Sequence, residues 1–386
     1  MPLFYVFYHY FNLPFRAWEQ RKLGEVTESF DGKRVPIDSD LRISGEYPYY
    51  GATGIIDYVD DYIFDGEYVL LAEDGANITM RNYPVAYLTQ GKFWLNNHAH
   101  IMRMIDGSNY FLVQVLEKID YMKYNTGTAQ PKLNSKVVKN IEFKLPHVEE
   151  QRKIGTFFKQ LDDTIALHQR KLEVLKLMKK GFLQQMVTKS GENIPKIRFD
   201  DFDDIWEQRI LGEFLKESKI KGSNGSLAKK LTVKLWRKGV VPKEEIYTGS
   251  SATQYYIRKT GQFMYGKLDF LNQAFGIVPL ELDGYESTLD SPAFDIEESL
   301  NETFLLEYVS LARFYKYQGN IANGSRRAKR IHTDTFFEMP IPLPNSNEQQ
   351  KIGTFSRQID DLIALQQNKL EKLSSLKRFY LKNMFI

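Results

Sequence analysis

One stretch of this chain is written twice, and no other feature limits its possible folds as strongly. Residues 145–173 read LPHVEEQRKIGTFFKQLDDTIALHQRKLE, and residues 343–371 read LPNSNEQQKIGTFSRQIDDLIALQQNKLE. From Glu150 and Glu348 onward, 17 of 24 aligned positions are identical at a constant offset of 198. A shorter pair precedes them, WEQRKLGE at 18–25 and WEQRILGE at 206–213. The chain is a variable segment followed by a near-constant one, present twice.

The near-constant segment carries the heptad spacing of a long helix. In the first copy apolar residues fall at Ile154, Phe158, Leu161, Ile165, Leu172, Leu175, Phe182 and Met186, with His168 and Lys179 filling the two missing steps. In the second copy the same steps are Ile352, Ser356, Ile359, Ile363, Gln366, Leu370, Leu373, Lys377, Tyr380 and Met384. Leu145-Pro146 and Leu343-Pro344 stop a preceding strand, because proline removes a ladder donor and biases its neighbour away from helix. Each helix should then run about 40 residues, or roughly 60 Å. A rod of that length needs cover for its apolar stripe, either from its own globular half or from its twin. The repeat favours the twin. Antiparallel pairing would set His168 opposite Gln366, a polar layer that fixes register.

Residues 188–196, TKSGENIPK, form a polar linker. The variable segments, about 26–144 and 214–342, read as strand-rich, with short β-type runs at 68–71 and 263–265 broken by Gly, Asp and Asn. The expected division is a recognition-type domain at 1–146, a helical spacer at 147–187, a linker and second domain at 188–344, and a second spacer at 345–386. The expected class is α+β: two strand-rich domains in tandem, separated by two long helices forming an antiparallel coiled coil.

Net charge is +3, too mild to announce a partner, so its distribution matters more. Tyr308 to Thr333 holds no acidic residue but contains Arg313, Lys316, Arg326, Arg327, Lys329, Arg330 and His332, with loops expected at Gly319-Asn320 and Asn323-Gly324-Ser325. Tyr121 to Ile141 is also free of acids and contains Lys123, Lys132, Lys136 and Lys139 around the loop Thr126-Gly127-Thr128-Ala129-Gln130. Clustered cations neutralise phosphates, loop amides add close donors, and Arg, Asn and Gln can read base edges. A single charge run is more often a solvated face. Two runs at matching repeat positions favour DNA contact.

No catalytic site is expected. The chain lacks cysteine, a GxxxxGK[ST] phosphate loop, a GxGxxG turn and an Asn-Pro-Pro-aromatic run. His98 and His100, placed on one face of an expected strand, could ligate a metal. Without thiolates or a carboxylate cluster they read instead as structural or base-contacting, so no metal site is expected. Glu142-x-Lys144 and Glu217-x-Lys219 resemble the tail of a nuclease motif but lack its Pro-Asp. No signal peptide and no stretch of about 18 apolar residues is found, so a soluble, cytoplasmic protein without membrane contact is expected.

These residues resemble type I restriction–modification specificity subunits over nearly the whole chain. The likeness rests on WEQR-x-LGE before each variable half, residues 47–76, NNHAHIM at 96–102, GTAQPKL at 127–133, YQGNIANGSRRAKRI at 317–331 and IPLPNSNEQQKI at 341–352. Residues 1–16 depart from it, lacking the charged Pro-x-Ile-Arg-Phe seen at 195–199. The resemblance implies two target-recognition domains, each reading one half of a bipartite site on double-stranded DNA, with helices that set the spacing and dock modification subunits. S-adenosylmethionine, ATP and magnesium would belong to the modification and restriction subunits, which methylate, translocate and cleave. Two other readings stand beside it: a catalytic methyltransferase with fused recognition domains, which would bind its cofactor alone, and a tandem nucleic-acid-binding scaffold, which would prefer single-stranded RNA.

Overall fold

The computed structural model describes residues 17–189, 191–244, 250–321, 324–325 and 328–385; for 321–329 only the backbone elements are described. The chain forms two compact units, Met1–Arg170 with Asn368–Ile386, and Lys171–Gln367.

In the first unit, β1 (Glu19–Lys22) pairs antiparallel with β10 (Glu142–Leu145), so the WEQR segment is zipped to the strand that ends at Leu-Pro. One four-stranded sheet has the order β2 (Thr27–Ser29), β9 (Ala99–Met104), β6 (Tyr68–Ala72), β7 (Ala86–Thr89). A second runs β4 (Gly54–Val59), β3 (Ser44–Gly51), β8 (Lys92–Leu95), β5 (Phe64–Asp65). The unbroken run Val69-Leu70-Leu71-Ala72 reflects burial on both faces. Val69 and Leu71 pack with Phe111 and Leu112 of α1 (Asn109–Lys118), while Leu70 packs with Phe64, Phe93 and Leu95.

The second unit repeats the plan with other residues. Strand β11 (Glu207–Ile210) pairs with β23 (Pro340–Leu343), again joining WEQR to the strand before Leu-Pro. Its main sheet runs β12 (Leu215–Glu217), β20 (Ala293–Ile296), β17 (Phe263–Tyr265), β18 (Phe275–Ile277). Strands β13 (Lys221–Asn224), β16 (Gln254–Ile257) and β19 (Glu286–Ser287) form a side sheet, and β14 (Leu231–Val233) with β15 (Val240–Pro242) a hairpin. Helices α3 (Glu302–Val309) and α4 (Ala312–Ile321) cover the core. Gly319 and Asn320, expected in a loop, lie within α4. A side chain at 319 would strike Leu271, so this glycine is there for close packing and not for a turn.

The long helices are α2 (Val148–Gln185) and α5 (Ser346–Met384). The second is capped by Asn345, whose Oδ1 accepts from Glu348 N at 3.0 Å. Each unit contains a stretch of both, running antiparallel. In the first, Phe157 meets Tyr380 edge-on at 5.0 Å and Asp162 pairs with Lys377 at 2.7 Å. In the second, Lys179 pairs with Asp360 at 2.6 Å and Phe182 meets Phe355 at 5.5 Å. Every seam position expected from the heptad is buried or half-buried, including Ile154, Leu161, Leu172, Ile352, Ile359 and Leu373. His168 belongs to the first unit and Gln366 to the second, each half-buried.

Cover by the twin and cover by the globular half are both real. Ile154 and Phe158 join the first unit's core together with Met384, while Leu183 and Met186 join the second's with Ile352. Burying Phe158 contributes roughly 2–3 kcal/mol. Its repeat counterpart Ser356 instead donates a hydrogen bond to Glu307 at 2.7 Å.

Candidate nucleic-acid interface

The repeated motifs turn out to bolt each globular part to a helix. Trp18 Nε1 donates to Glu150 Oε1 and Trp206 Nε1 to Glu348 Oε2, both at 3.1 Å. Arg198 adds a two-pronged pair to Glu348, each prong 2.8 Å. Gln151 and Gln349 donate to the Pro146 and Pro344 carbonyls, both at 2.9 Å. Gly155 and Gly353 lie where the helix crosses the caps of α1 and α3. A methyl group at either would press on the capping oxygen of Ser108 or Asn301. Trp-Glu-Gln-Arg and Glu-Gln-x-Lys-Ile-Gly are thus two halves of one joint, used twice.

The first acid-free segment lies on the surface of the first unit. Lys123 is exposed in the turn Tyr121–Tyr124, and Thr126, Thr128, Gln130 and Lys132 lie on the following loop, where Thr128 and Gln130 are exposed. Lys136 and Lys139 belong to the short helix Ser135–Lys139. The loop is tied into a fixed shape. Asn125 Oδ1 accepts from Gly127 N and Lys132 N, both at 2.9 Å, and Thr126 N donates to Lys132 O at 2.8 Å. Only glycine fits at 127, where a side chain would run into the Gln130 carbonyl oxygen. Thr128 and Gln130 are therefore presented outward from a rigid base.

Beneath the loop is a polar network that spacing did not reveal. Gly75 N donates to Pro131 O at 3.1 Å and Leu133 N to Glu73 O at 2.7 Å, fixing the loop to the end of β6. Glu73 accepts from Arg34 at 2.6 Å and faces Lys132 at 3.5 Å. His100, 1% exposed on β9, has Nε2 2.7 Å from Leu133 O and Nδ1 2.7 Å from Asp31. Burial opposes ionisation of Asp31, but the hydrogen bond and charge of His100 outweigh it and hold the carboxyl below its ordinary range. His98 lies in the turn before β9 and not on the strand, so it does not share a face with His100. It is half-exposed and pairs with Asp74 at 2.8 Å. Each histidine has its own carboxylate, and among the described residues no three His, Cys, Asp or Glu side chains gather as a metal site.

The second acid-free segment is placed in the same way. Gly324, Ser325 and Lys329 belong to the hairpin of β21 (Gly324–Ser325) and β22 (Ala328–Lys329); Asn323, Arg326 and Arg327 lie outside the described residues. Ile331, the repeat counterpart of Leu133, donates its N–H to Lys267 O at 3.0 Å and accepts from Tyr265 OH at 3.1 Å. Arg330 is exposed and pairs with Asp290 at 3.1 Å. Lys267, after the end of β17, feels the charges of both Arg330 and Lys219. Burial lowers the Lys267 pKa, against the charges of Glu217 and Asp290 and with those of Lys219 and Arg330. The sequence did not bring these two lysines together with the basic run, because they follow strands β12 and β17, which are distant from it in the chain. Glu217 and Lys219 pair with each other at 2.7 Å. Arg313 is spent inside the unit, donating to the Gln184 and Val187 carbonyls at the end of α2.

Outside the seam, the long helices expose apolar side chains. Leu167, Val174, Leu177 and Met178 do so on α2, and Leu362, Leu365, Leu376 and Phe379 on α5. Leu167 and Leu365 are repeat counterparts, as are Met178 and Leu376. Among the described residues no helix is long and apolar enough to cross a membrane.

Comparison with known proteins agrees with this architecture. The family model of the type I restriction modification DNA specificity domain matches residues 16–177 and 293–375. The type I restriction enzyme MjaVIII specificity subunit of Methanocaldococcus jannaschii is 23% identical over 94% of this chain and 90% of its own. A Haemophilus influenzae relative, also a type I specificity subunit by name, is 37% identical over 39% of this chain, which spans only 38% of that protein's length. The crystal structure of a type I restriction–modification S subunit from M. genitalium superposes with a TM-score of 0.65 at 12% identity, over 96% of both chains, a likeness of fold. With the family model covering more than half of its length, the chain belongs to the type I restriction modification DNA specificity family.

Proposed function

We propose that the chain is the DNA-reading, non-catalytic subunit of a type I restriction–modification complex. Each unit reads one half of a bipartite duplex site. Lys123, Thr126, Gly127, Thr128, Gln130, Lys132 and Lys136 serve one half, and the segment from Asn323 to Arg330 the other. One observation carries this reading: both units place an acid-free, cation-bearing segment at the same point and tie it to the end of a central strand through counterpart residues, Leu133 and Ile331. Cations position the duplex through phosphates, while side chains such as Gln130 on its tied loop read base edges.

The helices supply spacing and docking. Two exposed apolar positions recur between the copies, Leu167 with Leu365 and Met178 with Leu376, which fits two copies of one modification subunit on a single chain. S-adenosylmethionine, ATP and magnesium are used by those partners and by the restriction subunit. A domain exchange tests the reading. Replacing residues 214–340 with the matching segment of another specificity subunit should change one half-site and keep the other in methylome sequencing. If both halves change, the units do not read separately; if the purified chain methylates DNA alone, the subunit is catalytic.

A further inference from the structure

We infer that His100 and Tyr265 are positioning residues for the two half-sites, each holding one recognition segment through a single backbone carbonyl. This inference rests on the DNA-reading function proposed above. The geometry is duplicated with different side chains. Leu133 and Ile331 stand at counterpart positions, directly after Lys132 of the first segment and Arg330 of the second. Each donates its N–H to the carbonyl at the end of a central strand, Glu73 and Lys267 respectively. Each then has its own carbonyl engaged by a buried side chain from the sheet: His100 Nε2 at 2.7 Å in one unit, Tyr265 OH at 3.1 Å in the other.

The two donors come from different strands, β9 and β17, and share no chemistry except a buried N–H or O–H. A carbonyl buried without a partner is costly, so the same requirement was met twice by different means. His100 is itself fixed by Asp31, which also accepts from Ile101 N at 2.9 Å, so its ring cannot turn away. Tyr265 is fixed by rings, with Phe336 at 4.6 Å and Phe294 at 5.8 Å. Neither side chain reaches the surface to touch DNA. Their effect on reading is indirect: they set where the segment leaves the sheet, and a reading group must be held to within about half an ångström.

The experiment uses the full chain assembled with its modification subunits. The probe is a duplex of the methylated site found by methylome sequencing, with versions in which one half or the other is scrambled. His100→Met should reduce discrimination against the scrambled first half by about fivefold or more, the low end of what one base contact is worth, and leave the second half unchanged. His100→Gln, which keeps a donor for Leu133 O, should restore most of the discrimination, which a purely space-filling role would not predict. Tyr265→Phe removes one hydroxyl from a packed core, and should lower discrimination in the second half alone. Unchanged discrimination in these variants, or an equal fall in both halves, overturns the assignment. A wild-type complex that ignores both scrambled duplexes would instead refute the DNA-reading function itself.

Discussion

Replacing Glu307 with Gln should loosen the second unit alone, and should weaken its sensitivity to acid. The carboxylate, 3% exposed, accepts from Arg237 at 2.7 and 2.8 Å, from Lys179 of α2 at 2.9 Å and from Ser356 of α5 at 2.7 Å. Burial alone would push its pKa up. The hydrogen bonds and charge of Arg237, then the charge of Lys179, outweigh burial and bring it to about 2 from an ordinary 4.5. That displacement is worth about 3 kcal/mol. Since the folded pKa lies below the unfolded one, this stability is fully present above the ordinary value and is lost as pH falls toward the depressed one.

At neutral pH the Gln variant leaves Arg237 half-buried without its carboxylate, while Lys179 keeps Asp360. The expected cost is therefore about 3 kcal/mol, the low end for a broken buried pair. Urea titration read by pulsed hydrogen exchange resolves the two units, with peptides of α3 reporting on the second and peptides of α1 on the first. The α3 midpoint should drop and its acid dependence should flatten, while the α1 midpoint stays. An equal shift in both units, or an acid dependence of α3 as steep as in the wild type, would refute the reasoning.

Gly127→Ala forces the first loop off the Gln130 carbonyl, so binding to the first half-site should weaken while circular dichroism stays unchanged. Changing Lys123, Lys132 and Lys136 to Ala should flatten the salt dependence of DNA binding by about 0.9 in log–log slope for each phosphate that is no longer neutralised; an unchanged slope in a salt titration would return them to solvated surface. Gly353→Ala presses on the Asn301 cap and should cost about 1 kcal/mol in urea unfolding of the second unit.

The repeat, the two long helices and their seam were legible from the sequence, because a helix writes its buried face into local spacing. Ile154, Phe158 and Leu161 can be read as one stripe without knowing what covers them. The two acid-free segments were legible for a similar reason, since charge depletion is contiguous in the chain. What the repeated motifs are for was not. Trp206 and Glu348 are far apart in sequence and meet through one hydrogen bond, so their recurrence signalled a constraint without naming it.

Tertiary structure alone decided how the loops are held. His98 sits in a turn and not on the strand its spacing suggests, because that turn is set by its backbone tie to Glu73 and by Asn96 Oδ1. Gly319 looked like a turn residue and proved to be a packing residue, since a missing side chain serves either need. His100 and Tyr265 carry no motif in common because the group they satisfy is a backbone carbonyl. Any buried donor can fill that role from any strand that folding brings near, so neither spacing nor residue type marks it in advance.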